Sequence, residues 1–349
     1  SHHCKLKTRN AKVALGRCRR VVGKTWGLKP KIMLWLYTAV IRPALEYGVV
    51  SWVPAILKST CTKGLTQVQR QACLAVSGAL PTTPTAALEC LLGIPPIEIY
   101  LKGRAVRTRH RLWTHGLWKL NSLQCGSTGH VGLLDSWTKE IPETLMPLDF
   151  ILSECLKDRS YEIEIGRRAD WTSDLSLGSL GIICYTDGSR SEGRTGYGAH
   201  TELRMENSPT STIFNFSRSL GQHSTVFQSE LCAILDAALT LGEILSNDQY
   251  RGHPIYFYSD SMSSLQALKG HETNSKLVLE CHEALNKLAK LTSLTLTWIP
   301  GHSNFSGNEL ADVLARQGSG ECEFIGQEPA LPLSVKTVHT AIRDWQRKL

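Results

Sequence analysis

No two cysteines stand in a Cys-x-x-Cys pair among the eleven in this 349-residue chain, and no cysteine and histidine have the spacing of a zinc knuckle. An odd, scattered set of thiols is expected of reduced cysteines in cytosol or nucleus, not of a disulfide framework. Long hydrophobic runs are missing as well. The longest apolar patch, Tyr47 to Leu57, is interrupted by Ser51 and Pro54 and is short of a bilayer span, and the N-terminus has no signal-peptide pattern. The expectation is an intracellular protein with no membrane partner. The chain begins at Ser1 and not at methionine, as a fragment or a processed product would. No Tyr/Phe-x-Asp-Asp run occurs, so nucleotide addition by a polymerase palm is not expected. Gly23-Lys24-Thr25 fails as a phosphate-binding loop, because position 18 holds Cys18 where a glycine is required and no strand precedes it.

What is present suffices for two domains, with 42% hydrophobic residues and 20% charged. The charge is divided unevenly. Residues 1 to 178 hold 25 Lys and Arg against 13 Asp and Glu, net +12, and residues 179 to 349 hold 14 against 18, net −4. A basic half beside an acidic half suggests phosphate affinity in the first and chemistry in the second.

Within the acidic half, four carboxylates sit in contexts that would deliver them to one point. Gly181-Ile182-Ile183-Cys184-Tyr185-Thr186-Asp187 reads as a buried strand ending in an acid, and Pro254-Ile255-Tyr256-Phe257-Tyr258-Ser259-Asp260 repeats the arrangement. Glu230 opens a stretch in which Leu231, Ile234, Leu235, Ala238 and Leu241 recur at helical spacing, on or near its buried side. Asp312 closes Gly307-Asn308-Glu309-Leu310-Ala311-Asp312, a short amphipathic helix. Hard oxygen ligands of this kind suit Mg²⁺ or Mn²⁺, and two such ions about 3.5–4 Å apart activate water and stabilise the leaving oxygen of a phosphodiester.

Tyr185-Thr186-Asp187-Gly188-Ser189, Gln228-Ser229-Glu230-Leu231, Tyr258-Ser259-Asp260-Ser261, and Trp298-Ile299-Pro300-Gly301-His302 through Asp312 together resemble the ordered motifs of type 1 ribonuclease H, over about residues 178 to 320. The resemblance implies a mixed five-stranded sheet with flanking helices, an α/β fold with elements in the order βββαβαβα. It implies that Asp187, Glu230, Asp260 and Asp312 hold two Mg²⁺ ions (or Mn²⁺). It also implies a mobile histidine ten residues before the last acid, here His302, and a minor-groove contact to an RNA/DNA hybrid near Gly188, Ser189, Gln228 and Asn308. As ordinary structure, Ser189 would be a turn residue, Gln228 a helix-start polar group and Asn308 an N-cap. Periodicity by itself predicts strands at 195–200, 211–216 and 294–298, and helices at 226–245, 262–268 and 275–291.

The first 120 residues read as a basic, mainly α-helical domain. A basic helix-like segment spans 5 to 25, an apolar helical region broken by Pro43 runs from Leu34 to Trp52, and Arg104, Arg107 and Arg111 share a helical face as a stripe suited to phosphate. Residues 5 to 112 resemble the segment between the polymerase and ribonuclease H domains of non-LTR (LINE-type) retrotransposon polyproteins. Residues 121 to 178 read as a linker with one helix around Pro147 to Leu156, and 321 to 349 as a tail ending in a helix. The reading that results is a metal-dependent endoribonuclease cutting the RNA strand of RNA/DNA hybrids, with the polymerase part of the same polyprotein as a partner. Its alternative is a catalytically silent ribonuclease H-like module that binds nucleic acid or serves as structure, or a host-adopted ribonuclease derived from a mobile element.

Overall fold

Helical periodicity in the first half and strand periodicity in the second produce different architectures in the computed structural model, which describes residues 2–20, 27–118, 130–156, 158–167, 180–246, 250, 252–301, 303, 305–320 and 324–349. Two compact units result, Ser1–Leu145 with Val338–Leu349, and Met146–Thr337.

The first unit is built from α1 (His2–Arg19), α2 (Pro30–Leu36), α3 (Arg42–Glu46), α4 (Val49–Trp52), α5 (Ser59–Ser77), α6 (Thr85–Leu92), α7 (Ile97–Thr114) and α8 (His130–Lys139). Pro43 has no N–H to give to the carbonyl four residues back, and the turn before it, Tyr37–Ile41, is widened into a π-helix. In α5, Cys61, Leu65, Val68, Ala72, Cys73 and Val76 are buried at helical spacing, and Gln69 is buried with them. That amide is fully engaged. Its Oε1 accepts from Tyr37 Oη at 2.7 Å, and its Nε2 donates to Glu89 Oε1 at 2.6 Å and to the Pro95 carbonyl at 3.0 Å. Arg109 is also buried, donating from Nε and Nη2 to Asp135 at 3.1 and 2.9 Å.

The second unit contains β1 (Glu154–Cys155), β2 (Glu162–Glu164), β3 (Gly181–Ser191), β4 (Arg194–Arg204), β5 (Ser211–Gly221), α9 (Val226–Leu245), β6 (Ile255–Ser259), α10 (Met262–Lys269), β7 (Glu272–Thr273), α11 (Lys276–Ala289), β8 (Leu294–Trp298) and α12 (Ser306–Gly320), and a last helix, α13 (Val335–Lys348), carries the chain back into the first unit. The main sheet is mixed, in the order β2-β8-β6-β3-β4-β5. β3, β4 and β5 form an antiparallel meander, while β6, β8 and β2 add in parallel. Strand alternation sends Ile182 and Cys184 to one face, where Leu231, Ile234, Phe257, Leu285 and Leu296 complete the larger core. Ile183 and Tyr185 point to the other, packed with Tyr258, Ile299, Phe305 and Ala311.

The expected mixed sheet with flanking helices is present, with one strand more than the five anticipated. β2 comes from the stretch read as linker, and that stretch also holds α8 and β1. The helix expected around Pro147 to Leu156 does not form, because its backbone donors go elsewhere than four residues back. Asp149 N–H donates to Leu333 O, Ile151 N–H to Asn274 O and Leu156 N–H to His271 O. The Asp149 carboxylate accepts from Ser275 Oγ and Leu277 N at the start of α11. Among the described residues no single helix is long and apolar enough to cross a membrane. The bent pair Pro30–Glu46 and Val49–Leu57 is so in combination, and its Met33, Tyr37, Ile41, Leu45 and Val53 are buried within the fold.

Candidate active site

Parallel pairing of β3 with β6 runs from Ile182↔Ile255 to Thr186↔Ser259 and stops there. The next residue on each strand is an acid, so Asp187 and Asp260 emerge side by side where two strands diverge. β3 itself continues to Ser191 against β4, which keeps Asp187 inside the sheet and only 8% exposed. Asp260 is steadied from behind by Trp298, whose Nε1 donates to its backbone carbonyl at 3.0 Å. Gly301 leaves the room its carboxylate occupies, since a Cβ there would lie 2.5 Å from Asp260 Oδ2.

Glu230 arrives from α9. Thr225 caps this helix, its Oγ1 accepting from Gln228 N while the Gln228 side chain returns a bond to Thr225 N. The helix start lies against β3 at Gly188, where a Cβ would come within 2.5 Å of Ser229 Oγ and 2.6 Å of Glu230 N. Only glycine permits so close an approach. Carboxylate oxygens of Asp187, Glu230 and Asp260 consequently lie within 4.8 Å of one another.

Asp312 comes from α12, which rests on the sheet along a seam of glycines. A Cβ at Gly198 would lie 2.5 Å from Leu314 Cβ and 2.6 Å from Ala315 N, one at Gly318 would lie 2.5 Å from the Arg218 carbonyl, and those at Gly196 and Gly307 would overlap Gly318 and the Tyr185 ring. Asp312 lines the same cleft as the three clustered acids, together with Gly188, Ser189, Asn308, Glu309 and Arg316. It is not one of the three within 4.8 Å. Its Oδ2 accepts instead from Arg316 Nη2 at 2.6 Å, one helical turn on.

Burial, then the charges of Asp260 and Asp312, push the Asp187 carboxyl up to about 7, against the lowering effect of the Gly188 N–H and Arg316. Glu230 is raised well above the usual carboxylate range by burial first, then by Asp187 and Asp260. Its Oε2 is buried without a hydrogen-bond partner, as is Asn308 Oδ1. Converging carboxylates with a buried oxygen left unpartnered are costly unless something positive or protonated joins them. The all-oxygen donor set and the orphaned Glu230 oxygen therefore fit a hard divalent cation.

The structure brings Gly188, Ser189 and Asn308 into the cleft with the acids. Gln228 is not there. It is 1% exposed, committed to the α9 cap and donating from Nε2 to the Pro332 carbonyl at 2.9 Å, so its polar atoms face the fold. Asn308 lies within the first turn of α12, which begins at Ser306, and so is not its N-cap. His302 lies outside the described residues. Sequence reasoning named Gly188 only as a groove contact and passed over the glycines at 196, 198, 301, 307 and 318 as makers of the site. Apart from Gly301, which lies in a turn, their one sequence signal was recurrence inside otherwise regular strand and helix patterns.

The RNase H family model matches residues 180–320, which bears out the resemblance read from the motifs. Over 107 residues the chain is 26% identical to the 115 kDa protein of the type-1 retrotransposable element R1DM of Drosophila melanogaster, a match covering 31% of this chain and 10% of that protein. The chain thus corresponds to about a tenth of the length of that retrotransposon relative. Among solved structures it is similar to RNase H1 of the archaeon Halobacterium salinarum NRC-1, at 19% identity over 40% of this chain and 98% of the other, with a TM-score of 0.31. It is also similar to the PFV RNase H domain, at 24% identity over 41% and 97%, with a TM-score of 0.32.

Proposed function

We propose that the second unit is a metal-dependent endoribonuclease that hydrolyses the RNA strand of RNA/DNA hybrids and leaves 5′-phosphate and 3′-hydroxyl ends. The observation that carries this is the convergence of Asp187, Glu230 and Asp260 within 4.8 Å around a buried, unpartnered Glu230 oxygen. These three and Asp312 are the residues that would hold two Mg²⁺ or Mn²⁺ ions, which when bound supply an activated water and stabilise the leaving oxygen. The chain's own part is positioning. Trp298 and Gly301 fix Asp260, Gly188 admits Glu230, and the glycine seam under α12 sets Asp312 and Asn308. Ser189 and Asn308 offer a hydroxyl and an unused Oδ1 acceptor at the cleft, chemistry suited to reading 2′-hydroxyls in a minor groove. We further propose that the polymerase part of a longer retrotransposon polyprotein is its partner.

The test is incubation of the full chain with labelled RNA/DNA hybrid, duplex RNA and duplex DNA in Mg²⁺, beside an Asp260→Asn variant and a chelator control. Cutting of the hybrid alone, lost in the variant and in chelator while hybrid binding persists, is the expected result. Binding without cutting in either Mg²⁺ or Mn²⁺ would sink the nuclease reading in favour of a silent module.

A further inference from the structure

The arginine stripe of α7 meets a second basic helix. α13 runs antiparallel to α7: Gln346 Nε2 donates to the Ile99 carbonyl at 2.9 Å, over Gly103, where any Cβ would overlap the Gln346 amide. Toward the other end, the charge of His339 acts on His110 and that of Arg107 acts on His339. Arg104 and Arg107 from one helix and Arg343 from the other thus gather along one groove. Glu46 is the carboxylate that acts against them, and both its oxygens are engaged, Oε1 with Arg104 at 2.7 Å and Oε2 with Tyr100. The guanidinium of Arg42 lies 4.1 Å over the Tyr100 ring, adding one more positive charge. Arg107 Nε is buried without a hydrogen-bond partner, and so is Nε2 of His110, a residue only 1% exposed. The Arg107 Nε–H, a buried donor left open among like charges, calls for an anion. Burial, then His339 and Arg109, push His110 down to about 4, and burial, then Arg107, Arg104 and Arg343, lower His339.

We propose that the groove between α7 and α13 binds the phosphodiester backbone of a nucleic acid, with Arg107 and Arg343 as the phosphate ligands. Residues 104 to 111 extend over about 10 Å of helix at 1.5 Å per residue, longer than a single phosphate needs and suited to a run of them. The binding is electrostatic and independent of sequence, so it predicts affinity for hybrid and for duplex DNA alike. It requires no cleavage by the other unit.

Fluorescence anisotropy of the full chain against labelled RNA/DNA hybrid and duplex DNA, in chelator and across a salt series, tests this. Replacing both residues, Arg107→Gln with Arg343→Gln, is expected to reduce the slope of log K against log salt by roughly 1.8, about 0.9 for each phosphate that is no longer neutralised. The pair Arg107→Lys with Arg343→Lys is expected to keep the slope. Arg343 is exposed, so the single variant Arg343→Glu leaves packing untouched and is expected to weaken binding of both nucleic acids. Unchanged affinity and slope in Arg343→Glu, or reduced affinity with an unchanged slope in the glutamine pair, would overturn the proposal. A chain that binds in this way and never cuts would refute the nuclease reading and leave this site standing.

Discussion

Two glutamates, one in each unit, are buried almost equally, Glu89 at 7% exposure and Glu230 at 6%. Glu89 accepts from the Gln69 amide at 2.6 Å, and Gln69 in turn serves Tyr37 and Pro95. Glu230 has an oxygen with no donor at all and two acids for neighbours. Burial alone therefore says little about what a carboxylate is for. In the helical unit the buried polar groups of α5 and α6 complete one another and hold helices together, whereas in the cleft Glu230 Oε2 and Asn308 Oδ1 are buried without a partner.

The largest expected effect comes from forcing the cleft apart. Gly198→Val drives a side chain into Leu314 and the Ala315 backbone, so α12 must lift. Overpacking of this kind costs about 1–3 kcal/mol, and displacement of Asp312 should remove hybrid cleavage, read by gel assay alongside Tm. Next is the pH dependence of the acidic cluster. The Asp187 carboxyl is held near 7 when folded against an ordinary value of 3.8, so between these the native state binds the extra proton and stability falls as pH rises. In chelator, Tm should decline from about pH 4 to about pH 7, and Asp187→Asn should flatten that decline; parallel curves for parent and variant would contradict it. On the other side of the comparison, Gln69→Ala leaves Tyr37 Oη and Glu89 Oε1 without their partner. It is expected to lower stability by about 1–3 kcal/mol in denaturant titration, with the cleavage rate per folded molecule unchanged. Smallest is Gln228→Ala, expected to cost about 1 kcal/mol through the weakened cap and to leave KM for hybrid unaltered. A raised KM would return Gln228 to the cleft.

Much of the second unit was legible because its elements are strongly patterned. The helix expected at 226–245 is Val226–Leu245 and the strand at 294–298 is Leu294–Trp298. The acids could be singled out because Asp187 and Asp260 each follow an apolar, β-branched or aromatic run, and such runs fix where a chain leaves a sheet. β2 was illegible because Glu162–Glu164 is a three-residue edge strand whose two glutamates are exposed, so no apolar alternation announces it. Asp149 looks like any loop acid until α11 supplies the N–H and hydroxyl that it accepts from. Gln228 was left between two readings, groove contact and helix-start polar group, for a related reason. A polar residue beside Ser229 and Glu230 can face the cleft or the cap, and the Pro332 carbonyl that decides between them is 104 positions away.

The glycine seam under α12 has a consequence best put in terms of tolerances. Where a helix sits on a sheet through long side chains, each rotamer is a hinge, and small errors accumulate before they reach a functional group at the far side. Here Leu314 and Ala315 rest directly on Gly198, and Gly318 on the backbone of Arg218, so main chain locates main chain. The distance from α12 to β4 and β5 is thus machined and not shimmed. Substitutions on the outer face of the helix, at Leu310 and Val313, can accumulate without moving the acid that the helix carries, while the inner face accepts almost none.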